Sequence, residues 1–166
     1  SSMVIVGGGA TGVEFAYLYN AYGVQVTIVE MLPHLLPNED EEVSDLLERA
    51  LSKQGIAVLT GSQVKGMLPG EGGTRIQMAP AGDEREVACE KVLVAVGVKP
   101  NSDGLGLEEL GVATHRGFVA IDDHMQTNVA GIYAIGDVTG KLLLAHAASA
   151  QGVAAVEHIA GLEVPA

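Results

Sequence analysis

The glycines near the start of the chain have a spacing that suits the binding of a diphosphate. Residues 7–12 fit the pattern G-x-G-x-x-G. Gly7 permits a tight turn, Gly9 lets the backbone approach a pyrophosphate, and Gly12 lets a helix pack closely on the preceding strand. The helix that begins here points unpaired N–H groups at the phosphates. Because the pattern lies between a predicted strand and a predicted helix, it predicts a dinucleotide-binding loop formed by Gly7, Gly8, Gly9, Ala10, Thr11 and Gly12.

Two acidic residues extend this prediction. Glu30 ends the second predicted strand, at the spacing of the acid that accepts hydrogen bonds from the adenosine ribose hydroxyls of NAD. A carboxylate there repels the 2′-phosphate of NADP, and residues 31–34 contain no arginine. NAD or NADH is therefore predicted in preference to NADPH. For Glu14, in the first helical turn, two interpretations stay open: it stabilises the helix dipole, or it belongs to the ligand site.

Strands and helices alternate around these residues. A segment without helical period, 64–88, has two turn clusters and predicts an antiparallel meander. The order predicts an α/β fold, a Rossmann-like doubly wound parallel sheet in which the meander replaces one crossover. Asn38 is expected to cap the second helix, whose apolar face is predicted to include Val43 and Leu46. The predicted strands are 3–6, 24–29, 56–59 and 92–96, and the helices are 11–22 and 39–54.

Beyond residue 97 the chain is richer in loops, with strands predicted at 118–121 and 132–135 and a helix from about Ala145. The formal net charge of -12 argues against partners that are nucleic acids or anionic membranes. No apolar run reaches the roughly 18–20 residues of a membrane helix. The single cysteine, Cys89, excludes an internal disulfide, is predicted to be a small core residue, and fits a reducing, cytoplasmic setting. The histidines show no metal-binding spacing.

A second motif lies in the later part of the chain. Residues 127–138 read TNVAGIYAIGDV, residues 144–148 read LAHAA, and residues 97–101 read GVKPN. Taken alone, Asp137 is typical of a turn that follows a strand. Together and in this order, the motifs resemble the pyridine nucleotide–disulfide oxidoreductases, over nearly all of the 166 residues. Where that family usually has Gly-Arg before its Pro-Asn pair, this chain has Val98 and Lys99.

The resemblance implies two cofactors, NAD and FAD. It implies that Asp137 accepts a hydrogen bond from the ribityl chain of FAD and that the backbone amide of Ala145 lies at the isoalloxazine. It further implies that Gly97 contacts NAD, that Glu14 lies near the nicotinamide, and that Val64 packs at the adenine. No residue of this chain receives a catalytic role by the resemblance.

The resemblance also implies parts that these 166 residues do not contain. The family has an FAD domain with a redox-active cysteine pair and a dimerisation domain with a catalytic His-Glu pair. We therefore expect a middle section of a longer protein, with residues 1–121 forming the NAD-binding domain. Residues 122–166 are expected to return to the FAD domain. Within them, residues 129–166 are poor in charge and should be covered by another domain.

The implied activity of the full-length protein is oxidation of dihydrolipoyl groups, with electrons passing through a disulfide and FAD to NAD. The chain alone is expected to be inactive, because disulfide exchange needs two sulfurs. The resemblance implies a cytoplasmic homodimer that joins 2-oxo acid dehydrogenase complexes through lipoyl domains. Three alternatives stay open: a sibling flavoprotein that uses NAD(P)H to reduce a disulfide, oxygen or a metal ion; a stand-alone NAD-binding module without catalysis; and a fragment that binds nothing well.

Overall fold

The computed structural model describes residues 1–70, 72–80 and 84–162, and its contacts divide the chain into two compact units. The first unit is Ser1–Gly97, and the second begins at Val98. This division precedes the expected domain boundary after Ile121. The boundary after Ile121 says which residues belong to the NAD-binding domain and which to the FAD domain of a longer protein, and it stays a prediction.

The first unit is built on a parallel sheet of four strands in the order β3-β2-β1-β7. A three-stranded antiparallel meander, β4-β5-β6, connects the third strand to the last. The predicted α/β fold, with a meander in place of one crossover helix, is therefore confirmed. The elements are β1 (Ser2–Val6), α1 (Ala10–Ala21), β2 (Gln25–Val29), α2 (Glu41–Lys53), β3 (Ala57–Leu59), β4 (Ser62–Gly70), β5 (Gly73–Pro80), β6 (Arg85–Cys89) and β7 (Lys91–Val94).

Adjacent residues of the central strands are buried on opposite faces of the parallel sheet. Ile5 of β1 packs in a cluster with residues of α1 and α2, whereas its neighbour Val4 packs with Ile76 and Met78 of the meander. A strand that is covered on both faces needs continuous apolar residues rather than alternation. The run Met3–Val6 meets that need, which explains why the sequence predicted a buried parallel strand.

Two details of α2 differ from the sequence prediction. Its N-cap is Asp40, whose carboxylate accepts the Glu42 N–H at 2.9 Å, so the prediction of Asn38 as cap was wrong. The predicted apolar face was also wrong in part, because Val43 and Leu46 are exposed while Ser44 is buried. The buried face of α2 is narrower than predicted: Ser44 and Leu51 are buried, and Leu47 packs partly buried against the core.

The second unit contains a short hairpin and one long helix. Its hairpin strands are β8 (Thr114–His115) and β9 (Phe118–Val119), and α3 (Ala145–Ile159) begins at the predicted residue. The predicted strand 132–135 was wrong: this segment makes one isolated bridge, between Gln126 and Tyr133, and leads into a 3₁₀ helix at Gly136–Thr139. Residues 132–135 have a strand-like composition but no continuous partner strand in the structure.

Side-chain contacts hold α3 against the loops that precede it. The Gly136 N–H donates to Gln151 Oε1 at 2.7 Å. Near the end of the helix, the Tyr133 hydroxyl lies 3.0 Å from Nδ1 of His158, whose ring stacks on His124 with 4.5 Å between ring centroids. In the described part of the chain, no helix is long and apolar enough to cross a membrane.

Candidate dinucleotide-binding site

The glycine loop, Glu30 and Gly97 follow three neighbouring strands of the parallel sheet. β1 runs into Gly7, β2 into Glu30, and β7 toward Gly97. Because these strands are parallel and β1 lies between the other two, the three segments meet at the carboxyl edge of the sheet. The strand order reverses direction at β1, and such a switch point is where open α/β sheets bind ligands.

The protein's own packing leaves little room for a side chain at three of the loop glycines, and at two of them the obstacle is backbone. Gly7 has φ +110°, and a Cβ there would lie 2.3 Å from the Ala95 carbonyl oxygen. A Cβ on Gly12 would lie 2.0 Å from the Gly7 oxygen, and one on Gly8 would lie 2.7 Å from Cδ2 of Leu35. Gly7 and Gly12 therefore serve the tight turn and the close approach of helix to strand that the sequence pattern predicted.

Gly9 is different, because the protein itself does not require a glycine there. Its φ is -72°, a value open to any residue, and apart from its two chain neighbours no residue has an atom within 4 Å of the position that a Cβ would take. The space in front of this peptide is therefore open. A backbone that lacks a side chain beside open space suits close approach by a phosphate, which is the role predicted for Gly9.

The same residue begins α1, and the start of that helix leaves donors free. Gly9 is the N-cap, it provides no side-chain cap, and its carbonyl accepts the Val13 N–H at 3.0 Å. The first N–H groups of a helix, here those of Ala10, Thr11 and Gly12, have no acceptor within the helix. An uncapped helix N-terminus next to the open space at Gly9 fits a pyrophosphate by both hydrogen bonding and dipole.

Glu14 lies one turn later than the sequence analysis placed it. The first turn of α1 contains no acidic residue, and Glu14 is exposed in the second turn. The dipole effect falls off within the first turn, so the dipole explanation for Glu14 loses its basis.

Glu30 is buried, with 8% of its surface exposed, and both of its carboxylate oxygens are hydrogen-bonded. Oε2 accepts the Gly8 N–H at 2.5 Å, and Oε1 accepts the Leu32 N–H at 2.8 Å. An ionised carboxylate offers about four lone-pair sites, so roughly two remain for a ligand. The carboxylate therefore lies directly behind the glycine loop and retains the capacity to accept two ribose hydroxyls.

Gly97 and Val64, which are also predicted to contact NAD, lie in different parts of the first unit. Gly97 is exposed after β7, at the same edge of the sheet as the loop. Val64 lies in β4, where it pairs with Met78 and packs against the core between the sheet and the meander. The structure thus brings Gly97 to the carboxyl edge and places Val64 in the meander. Two residues that sequence reasoning missed, Leu35 and Leu36, contact Gly8.

The predicted FAD residues lie in the second unit. Asp137 is exposed in the 3₁₀ helix, whose start is fixed by Gln151. Ala145 is the first residue of α3, and Leu144 provides no side-chain cap, so the amide of Ala145 is free to donate. An exposed carboxylate and an uncapped helix start fit one side of a flavin with its ribityl chain.

Other reactive groups do not form a second centre in the part of the chain that the structure describes. No three or more His, Cys, Asp or Glu side chains are grouped to hold a metal ion. Cys89 is buried as predicted, and that burial raises the pKa of its thiol. A thiol that stays protonated is a poor nucleophile.

Comparison with known proteins agrees with this geometry. The family model described as pyridine nucleotide-disulphide oxidoreductase matches residues 1–152. A dihydrolipoyl dehydrogenase of Mycobacterium leprae (strain TN) is 53% identical over 163 residues, which cover 98% of this chain and 35% of the relative. A dihydrolipoyl dehydrogenase of Corynebacterium glutamicum is 47% identical over 164 residues, covering 97% of this chain and 35% of the relative.

Solved structures give the same result. LpdA from Mycobacterium tuberculosis matches with a TM-score of 0.89 and 34% identity, over 99% of this chain and 35% of that chain. The HOCl-induced flavoprotein disulfide reductase RclA from Escherichia coli matches with a TM-score of 0.86 and 28% identity, over 99% of this chain and 37% of that chain. The chain spans about a third of the length of the curated relatives it matches. With the glycine loop, the acid behind it and a family match over most of its length, the chain belongs to the pyridine nucleotide-disulphide oxidoreductases.

Proposed function

We propose that the first unit binds NAD or NADH at the carboxyl edge of its parallel sheet. The observation that carries this proposal is the open position at Gly9 beside the uncapped N-terminus of α1. The pyrophosphate would lie on residues 7–12 and accept hydrogen bonds from the first N–H groups of the helix. Gly97 would contact the dinucleotide, and Glu14 would lie near the nicotinamide. The part of the half-buried Val64 side chain that the core leaves exposed would pack at the adenine.

The preference for NAD over NADP rests on Glu30. Its buried carboxylate would accept hydrogen bonds from the adenosine ribose hydroxyls with the lone pairs that Gly8 and Leu32 leave free. A 2′-phosphate in that place would bring a second negative charge against a buried one. Residues 31–34 supply no arginine to offset it.

We further propose that the chain is the NAD-binding portion of a flavin-dependent dihydrolipoamide dehydrogenase. The names of the curated relatives support this activity. The full-length protein would oxidise dihydrolipoyl groups and reduce NAD, and bound FAD would supply the step that links the disulfide to NAD. Asp137 would orient the ribityl chain, and the amide of Ala145 would donate at the flavin ring. A cytoplasmic homodimer that joins 2-oxo acid dehydrogenase complexes through lipoyl domains belongs to the same proposal.

Exposed apolar side chains support the proposed return of residues 122–166 to an FAD domain. Large exposed apolar patches are uncommon on soluble monomers and mark surfaces that another part covers. In this proposal, an FAD domain of the full-length protein covers them. The exposed side chains are those of Ile135, Leu142, Leu143, Leu144, Val153, Val156 and Ile159.

The second candidate function is that of a sibling flavoprotein reductase. The likeness to RclA, a flavoprotein disulfide reductase, supports this second candidate. An assay of the full-length protein separates the two functions. Turnover of dihydrolipoamide with NAD supports the first, whereas failure with dihydrolipoamide and turnover of another disulfide with NADH supports the second.

Titration of NADH and NADPH by calorimetry tests the nucleotide site. We expect tighter binding of NADH, and we expect Glu30→Ala to weaken it by about 1–3 kcal/mol, the scale of hydrogen bonds to a charged group. Glu41→Ala removes the same charge from an exposed position on α2 and should leave the affinity unchanged. Equal or tighter binding of NADPH by the unaltered protein would overturn the assignment of Glu30.

A further inference from the structure

The peptide of Gly8 is held on both sides by the segment that follows β2. Its N–H donates to Glu30 Oε2 at 2.5 Å, and its carbonyl accepts the Leu36 N–H at 2.9 Å. The buried side chain of Leu35 fills the space beside its Cα. Gly8 is flanked by Gly7 and Gly9, so this stretch of backbone has unusual conformational freedom in the absence of such contacts.

Glu30 is itself fixed to the sheet. Its backbone N–H donates to the Leu59 carbonyl at 2.9 Å, and its own carbonyl accepts the Ser62 N–H at 2.8 Å. Its second carboxylate oxygen accepts the Leu32 N–H, and the Leu32 carbonyl accepts the Gly61 N–H at 2.8 Å. A continuous set of hydrogen bonds thus runs from the β3–β4 connection through Glu30 to the middle of the glycine loop.

Burial strengthens this connection. The Glu30 carboxylate is largely removed from water, and a hydrogen bond to an ionised acceptor in such surroundings is shorter and stronger than one between neutral groups. The Gly8 N–H has this carboxylate as its partner. Removing the carboxylate would leave the donor without a buried acceptor and release one side of the Gly8 peptide.

We infer that Glu30 is a positioning residue for the pyrophosphate loop as well as the residue that binds the ribose. By fixing Gly8, it sets the orientation of the adjacent Gly9 peptide and of the first N–H groups of α1 before a ligand arrives. The inference rests on the proposed binding of NAD. In the proposed site the Glu30 carboxylate does not contact the diphosphate. Its effect on diphosphate binding is therefore indirect, through the peptide of Gly8.

The two roles predict opposite effects on a ligand that has a diphosphate but no ribose hydroxyls. If Glu30 acts on the ribose alone, removing its negative charge near the phosphates leaves such a ligand bound equally well or more tightly, because one repulsion is lost. If Glu30 positions the loop, removing it weakens binding of the same ligand, because the donors are no longer preorganised.

The experiment compares ADP with 2′,3′-dideoxy-ADP on the full-length protein by displacement of NADH. We expect Glu30→Ala to weaken binding of 2′,3′-dideoxy-ADP roughly tenfold, the scale of one hydrogen bond to a charged group. Glu30→Gln, which keeps the shape and one acceptor oxygen, should lose less. If the alanine variant does not fold, Glu30→Gln alone tests the inference. Glu41→Ala controls for the change in charge, and hydrogen exchange of residues 7–12 without ligand should be faster in Glu30→Ala.

Each outcome has a defined meaning. Binding of 2′,3′-dideoxy-ADP that is unchanged or tighter in both Glu30 variants overturns the positioning role and leaves the ribose role intact. Failure of the unaltered protein to bind either NADH or ADP overturns the proposed function itself. Weakened binding of 2′,3′-dideoxy-ADP together with faster exchange in the loop supports the inference.

Discussion

Alanine at Gly9 should remove dinucleotide binding while leaving the fold intact. The backbone of Gly9 has φ -72° and ψ -179°, which an alanine adopts without strain, and its Cβ would meet no atom within 4 Å. Loss of glycine flexibility in the unfolded chain favours the variant, whereas alanine is a poorer N-cap than glycine. The two effects oppose each other, so we expect the free energy of unfolding to change by less than about 1 kcal/mol.

Binding should change far more, because the new methyl group would occupy the space proposed for the pyrophosphate. Moving the phosphates away weakens the hydrogen bonds from the helix start, each worth about 1.5–3 kcal/mol with a charged acceptor. Loss of one such bond corresponds to roughly tenfold or more in Kd. Calorimetric titration with NADH and urea unfolding of the same preparation measure the two quantities together.

Gly12→Ala is the matched comparison. Its Cβ would lie 2.0 Å from the Gly7 oxygen, so the backbone must move, and we expect a loss of about 1–3 kcal/mol or more in stability. Binding of NADH by Gly9→Ala that is as tight as in the unaltered protein would refute the proposed position of the pyrophosphate. A loss of stability in Gly9→Ala as large as that in Gly12→Ala would contradict the open space found at Gly9.

Two further predictions concern the second unit. Gly140 has φ +67°, and a Cβ there would lie 2.8 Å from the Phe118 ring. Gly131 has a similar φ of +81°, but a methyl group added there would enter open space. Gly140→Ala should therefore lower the melting temperature more than Gly131→Ala, and equal losses would contradict the packing argument. Backbone N–H groups of Gln126 and His124 hold the pKa of Asp122 below its ordinary value of 3.8, although burial opposes them. A lowered pKa in the folded state gives stability that is complete above the unfolded value and is lost as the pH falls through the folded one. Unfolding followed from pH 6 to pH 2 should therefore include a loss of stability from Asp122 that begins near pH 4. Asp122→Asn should make the total loss smaller, and an unchanged profile in that variant would contradict the assignment.

The parts of the fold that could be predicted are those with a strong local pattern. The strand at Met3–Val6 is continuously apolar and lies between two covered faces. The loop at 7–12 combines glycines that the packing requires with one that it does not, and the pattern alone cannot tell these apart. Only the structure shows that Gly9 faces open space while Gly12 meets the Gly7 oxygen.

The errors arose where tertiary contacts decide between local alternatives. Asn38 and Asp40 are both good caps, and the choice of Asp40 depends on how the loop after Leu36 enters the helix. The segment 132–135 has the composition of a strand, but only Tyr133 finds a bridge partner. The hydrogen bond from the Leu36 N–H to the Gly8 carbonyl could not be predicted from the sequence. It joins two backbone groups, so the types of the two side chains do not indicate it.

Burial of Cys89 gives the 166-residue chain an internal probe of its own motions. Its sulfur lies in a core with Val4, Ile76 and Met78, between the meander and the parallel sheet, and it is the only thiol in the sequence. Reagents that form mixed disulfides need an accessible thiolate, whereas Cys89 has only 5% of its surface exposed and burial raises the pKa of its thiol. The rate of modification therefore measures how often the meander separates from the sheet, without any label added by mutation.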